Sequence, residues 1–205
     1  MAKHIKDVQD VITAIVLAGG ESSRMGQDKA LLTIGNHILL SQICMIAREC
    51  TSRVYIVTPW IEKYQEILPT GCELIREKLL SPGDNSNTPL IGFIQGLRLV
   101  NTEWVLLLAC DLPQLDLSQV KQWSKSLASV LPTEIALLPS HPKGWEALCG
   151  FYRRDCLPLL EAYLAEGGQS FQRWLAQHPV RELPLSDRTC LFNCNTPEDL
   201  AFLKK

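Results

Sequence analysis

The sequence lacks a long apolar run. Its longest strictly apolar stretch, Trp104 to Cys110, is seven residues, against the roughly 20 that a membrane-spanning helix needs. It also lacks an excess of either charge: 20 Lys and Arg face 22 Asp and Glu, a net charge of −2. That balance excludes the broad basic surface of a protein that coats nucleic acid or an anionic membrane, so an anionic ligand must be held by a local device. No C-x-x-C pair and no H-x-x-x-H or H-E-x-x-H spacing occurs, and His4, His37, His141 and His178 are dispersed; this removes the common zinc patterns. There is no G-x-S-x-G elbow, so Ser22 and Ser23 read as loop hydroxyls rather than nucleophiles. Lys3 and Lys6 before Val11 to Ala18 imitate a secretion signal, but Asp7 and Asp10 interrupt the pattern, and a cytoplasmic protein is expected.

Cysteine, in contrast, is plentiful, with eight residues. Cys44, Cys110 and Cys190 stand inside apolar runs, where a reduced thiol behaves as a small core side chain. A chain of 205 residues with 46% apolar content builds its core without disulfide staples. Reduced cysteines and one domain, residues 1–205, are expected.

The apolar segments Ala14 to Leu17, Val54 to Val57, Trp104 to Cys110 and Ile135 to Leu138 show no two-residue alternation, which suits strands buried on both faces. Between them, helical spacing appears in Ile38, Leu39, Ile43, Ile46 and Ala47, in Leu90, Phe93, Ile94, Leu97 and Val100, and in Leu117, Val120, Trp123, Leu127 and Leu131. The alternation predicts an α/β protein, a three-layer α/β/α arrangement with helices on both faces of a mostly parallel sheet. Ser81 to Thr88 reads as a polar loop. Residues 140–184, with helix-like stretches at Leu157 to Leu164 and Ser170 to Leu175, read as a subregion that shapes a pocket. The loop Ser140 to Glu146 suits either a contact to a second substrate or a plain surface turn. Thr196, Pro197 and Asp199 predict a capped terminal helix carrying Leu200 and Leu203 to the core.

The chemistry concentrates after the first strand, in Leu17-Ala18-Gly19-Gly20-Glu21-Ser22-Ser23-Arg24-Met25-Gly26-Gln27-Asp28-Lys29. Gly19 and Gly20 either make a strand-to-helix turn or let the backbone approach a phosphate closely, with Arg24 and Lys29 adding positive charge. Five residues separate Gly20 from Gly26 and Gln27 follows, so the Walker pattern is absent, as is G-x-G-x-x-G. Asp111, in Cys110-Asp111-Leu112-Pro113, ends the most hydrophobic strand. A carboxylate there needs compensation; it either binds a cation or caps the next helix, a task for which Asp116 and Ser118 also qualify. Asn193 and Asn195, two apart near a predicted strand end, point to opposite faces, so that one faces a site and the other closes a turn; both serving as turn or cap residues is the other reading.

The string L-A-G-G-x-S-x-R-M-G-x-D-K resembles the opening motif of the molybdenum cofactor guanylyltransferases. Asn193-Cys194-Asn195-Thr196-Pro197-Glu198-Asp199-Leu200 resembles their closing motif, and Leu17 to Leu200 spans 184 of the 205 residues. The resemblance implies a nucleotidyltransferase with a Rossmann-like three-layer fold that joins GMP from GTP to molybdopterin and releases pyrophosphate. It implies GTP at Leu17, Ala18, Gly19, Gly20, Lys29 and Asp111, Mg2+ on Asp111, catalytic roles for Arg24, Lys29 and Asp111, and Asn193 and Asn195 on the nucleotide and product side. It further implies transient contact with proteins that deliver or accept the cofactor. Two departures concern the base. Leu74-Ile75-Arg76-Glu77 replaces an I-E-D-like segment, leaving Glu77 as the candidate substitute for its aspartate, and Thr88-Pro89-Leu90-Ile91-Gly92 replaces G-P-L-A-G. A molybdopterin cytidylyltransferase, a sugar- or polyol-phosphate nucleotidyltransferase and a non-catalytic nucleotide-binding module remain alternatives at this point.

Overall fold

Consecutive residues of an interior strand face opposite directions, and both directions are filled. The computed structural model describes residues 8–20, 26–78, 88–185 and 187–203. In β1 (Ile12–Leu17), Ile12, Ala14 and Val16 join one buried cluster while Ile15 and Leu17 join another on the opposite face. This two-sided burial is why the strand sequences are continuously apolar.

A two-strand hairpin, β2 (Thr33–Ile34) and β3 (His37–Ile38), leads into α1 (Leu39–Cys50). Then come β4 (Arg53–Thr58), the one-turn α2 (Ile61–Tyr64), β5 (Cys72–Arg76), α3 (Pro89–Leu97) and β6 (Trp104–Ala109). The second half adds α4 (Leu117–Lys125), β7 (Ala136–Leu138), a small hairpin of β8 (Ser140–His141) and β9 (Gly144–Trp145), and β10 (Cys149–Arg153). It ends with α5 (Leu157–Ala165), α6 (Phe171–Leu175), β11 (Val180–Glu182) and α7 (Pro197–Leu203).

Seven strands form one sheet in the order β11-β7-β10-β6-β1-β4-β5. All neighbours pair in parallel except at β10, which is antiparallel to both β6 and β7. α1 and α4 contribute to the cluster on one face, and α3, α5 and α6 to the cluster on the other. Close approach of α3 depends on Gly96, where an added Cβ would lie 3.0 Å from the side chains of Ile15 and Val57. The predicted three-layer parallel architecture is the one observed.

Several local features depart from the sequence expectations or add to them. The third helix ends at Lys125 and continues only as a 3-10 turn over Ser126–Ser129; Leu131 lies beyond it and is 53% exposed rather than on the core face. Residues 140–184 place β10 and β11 in the central sheet itself. Asn193 and Asn195 lie in irregular chain after a 3-10 turn (Thr189–Leu191), not at a strand end. Leu200 and Leu203 pack over Leu32 and Cys194, away from the two main clusters. All eight cysteines are free, six of them buried. Residues 81–87 of the polar loop lie outside the described residues. No helix among the described residues is long and apolar enough to cross a membrane.

Candidate active site

The carboxyl ends of β1, β4, β5 and β6 open into a cleft of about 230 Å3 lined by Leu17, Ala18, Gly19, Gly20, Lys29, Glu77, Thr88, Gly92, Asp111 and Leu148, among others. Open parallel sheets bind ligands at this edge. Strand-end hydrogen bonds hold the cleft's floor: Ala18 N donates to Val57 O (3.0 Å), Cys110 N to Leu17 O (3.3 Å) and Glu77 N to Thr58 O (2.8 Å).

Lys29 begins a one-turn 3-10 helix (Lys29–Leu31) whose N-cap is Asp28. Its ammonium lies 3.6 Å from Asp111 Oδ2 and donates to Asn195 Oδ1. Three distant segments therefore converge on one amine. Burial raises the carboxyl pKa of Asp111, and the nearby Lys29 charge opposes the rise. Asp111 does not cap the following helix. Asp116 does so, accepting from the backbone N–H of Ser118 and Gln119, which leaves the Asp111 carboxylate directed to the cleft.

Glu77 completes the opposite side. A Cβ added at Gly19 would lie 2.5 Å from Glu77 Oε2, and one at Gly92 would lie 3.1 Å from Oε1. The carboxylate thus sits between two glycines that leave room for it, on a cleft wall shared with Thr88 and Pro89.

The closing motif contributes through its backbone as well. Cys194 N donates to Asp111 O (3.1 Å). Asp199 Oδ2 accepts from Asn195 N (2.9 Å) and Thr196 N (2.8 Å), while Asp199 N donates to Thr196 Oγ1 (3.2 Å), a reciprocal cap at the start of α7. Asn193 Nδ2 donates to Leu191 O (3.2 Å), closing a local turn. Arg24, Ser22 and Ser23 lie outside the described residues.

A family profile described as "MobA-like NTP transferase domain" matches residues 14–182. The chain belongs to this family. A relative from Nostoc sp., named "Probable molybdenum cofactor guanylyltransferase", is 54% identical, covering 94% of this chain and 90% of its own. The "Molybdenum cofactor guanylyltransferase" of Syntrophotalea carbinolica is 31% identical over 91% of this chain and 88% of its own. Among solved structures, molybdopterin-guanine dinucleotide biosynthesis protein A from Archaeoglobus fulgidus superposes with a TM-score of 0.75 at 20% identity, covering 94% of this chain and 96% of that one. As a MobA-like family member the protein is an enzyme, a nucleotidyltransferase.

Sequence reasoning missed three participants. Tyr64 donates from its hydroxyl to Asp28 Oδ2 (2.9 Å); it belongs to a four-residue helix too short to show a period. Asp28 was visible only as a member of the motif. The Thr88 hydroxyl is buried in the cleft wall and, among the described residues, has no hydrogen-bond partner; only its departure from the glycine usual at that position marked it.

Proposed function

We propose that this enzyme transfers GMP from GTP to molybdopterin, forming molybdopterin guanine dinucleotide and releasing pyrophosphate. The observation that carries the reading is the meeting of Lys29, Asp111 and Asn195 beside the Gly19-Gly20 loop. Such a site lets a near-neutral chain handle a triphosphate.

In this reading the backbone of Leu17, Ala18, Gly19 and Gly20 approaches the phosphates, and Lys29, with Arg24 from the same motif, neutralises them. The terminal phosphate of molybdopterin attacks the α-phosphorus of GTP in line, the bond to the β-phosphate oxygen breaks, and pyrophosphate leaves. A phosphate monoester is already anionic near neutral pH, so the site needs no strong base; its task is positioning and charge stabilisation.

The cleft also fits a divalent cation. Asp111 is a hard oxygen donor whose burial raises its pKa, and Mg2+ is commonly held by one or two carboxylates together with substrate phosphates. Asp111 would hold Mg2+, which when bound supplies charge neutralisation to the phosphates and the departing pyrophosphate.

Glu77 supports guanine as the base. Guanine presents N1–H and a 2-amino group as adjacent donors, and a carboxylate accepts from both. The buried Thr88 hydroxyl beside it gains a partner when a polar ligand fills the cleft. Asn195 acts on the nucleotide side through Lys29, and Asn193 shapes the same segment. The chain works as one nucleotidyltransferase domain in which residues 140–184 shape the cleft, as Leu148 does in its lining. The β8–β9 hairpin, which follows the carboxyl end of β7, is the candidate for contact with the pterin, and transient contact with cofactor-delivering and acceptor proteins accompanies turnover. Eight free thiols suit a reducing cytoplasm.

Pyrophosphate release with molybdopterin and GTP, CTP or ATP tests the assignment. Turnover with GTP well above the other two is expected; preference for CTP would make the enzyme a cytidylyltransferase instead.

A further inference from the structure

We infer that Tyr64 is a positioning residue: its hydroxyl, acting through Asp28, fixes the turn that presents Lys29 to the nucleotide. The inference rests on the proposed phosphate-binding role of Lys29.

Both oxygens of Asp28 are engaged. Oδ1 accepts from Ala30 N (3.1 Å), which sets the start of the 3-10 turn carrying Lys29. Oδ2 accepts from Tyr64 Oη (2.9 Å) and lies 3.6 Å from Lys63 Nζ. Tyr64 is 1% exposed. Burial first, and then the Asp28 carboxylate, push its phenol pKa well above the ordinary value, so the hydroxyl stays protonated and remains a donor at neutral pH.

The helix carrying Tyr64 is anchored at its other end. Arg76, the last residue of β5, donates from Nη1 to Pro59 O (3.1 Å) and pairs through Nη2 with Glu62. The next residue is Glu77. The one-turn α2 therefore ties the strand end that carries Glu77 to the loop that carries Lys29. Lys29 needs such support because its ammonium must hold station near two oxygen atoms from segments more than 80 residues away in the chain.

The test is a double-mutant cycle on the affinity for GTP with Mg2+, measured calorimetrically in the full chain. Tyr64→Phe keeps the ring and its packing and removes only the donor. In the Lys29 background it is expected to weaken GTP binding about fivefold, and in the Lys29→Ala background by less than about twofold, because coupled residues lose affinity once. Asp28→Asn is the second variant, expected to show the same coupling, and carries the test if Tyr64→Phe fails to fold. Equal loss in both backgrounds overturns the inference, since it marks a general structural role. Unchanged affinity in Tyr64→Phe, while Lys29→Ala alone weakens binding, overturns it and leaves the role of Lys29 standing. Unchanged affinity in Lys29→Ala overturns the underlying reading and the inference with it.

Discussion

Lys29 Nζ and Asp111 Oδ2 stand 3.6 Å apart at the cleft mouth, each side chain 19% exposed. One comes from the loop after β1 and the other from the end of β6, so the parallel pairing of these two strands brings them together. The pair is a built charge site rather than a surface contact. Exposed ion pairs contribute little to stability, whereas a largely desolvated pair in a cleft acts strongly on a bound polyanion.

Asp111 is expected to be costly to the fold and necessary to the reaction. Burial raises its folded-state pKa above the ordinary 3.8. The folded protein then binds the proton more tightly than the unfolded chain, so this group's favourable contribution is present below that value and is lost as pH rises through the raised pKa. Asp111→Asn removes the penalty. Its melting midpoint at pH 7 should equal or exceed that of the wild type, while transfer falls by about a hundredfold or more; parallel calorimetry and pyrophosphate assays check both.

Gly19→Ala should damage binding more than folding. The new Cβ meets Glu77 Oε2 at 2.5 Å and Pro59 Cδ at 3.2 Å. The glutamate is the more movable of the two, so it swings from its place between Gly19 and Gly92 and the KM for GTP rises, by about tenfold. Gly20→Ala meets nothing within 4 Å and should leave the melting midpoint unchanged, which makes it the folding control.

The thiols should differ sharply in reactivity. A hydrogen bond from Cys44, and then the nearby Arg48, lower the pKa of Cys72, which is partly exposed. Burial pushes Cys50 up to about 11 and Cys110 up to about 12. Since the thiolate is the reacting species, limited iodoacetamide treatment at pH 7.5 should label Cys72 first, as read by peptide mass mapping.

Acid should loosen α7 early. The backbone N–H of Asn195 is the main cause that holds the Asp199 carboxyl below 3.8, with Thr196 assisting. A depressed folded-state pKa contributes stability above the ordinary value and loses it as pH falls through the lowered one. The protection of the Glu198–Leu203 amides, taken relative to their intrinsic exchange rates, should therefore fall below about pH 4. Asp199→Ala should show fast exchange at neutral pH, together with weaker GTP binding because Asn195 loses its backbone anchor.

The sheet was legible because two-sided burial leaves short unalternating apolar runs, as in Trp104–Ala109, separated by longer segments of helical period. Lys29 and Asp111 were each legible, as a lysine in the loop after the first strand and a carboxylate ending the most hydrophobic one, and Asp116 was already available as the cap that frees Asp111; their 3.6 Å approach was not. Other features depend on relationships that a linear reading does not contain. β10 pairs antiparallel between two distant strands. Tyr64 meets Asp28 36 positions away. The unmet hydroxyl of Thr88 is defined only by the packing around it.

Transfer of labelled α-phosphate from GTP to molybdopterin in a single turnover, with Mg2+ present, tests the central claim most directly. The wild type should move the label onto molybdopterin, and folded Lys29→Ala and Asp111→Ala should each fail to do so. Near-normal transfer by either variant would contradict the assignment of this cleft.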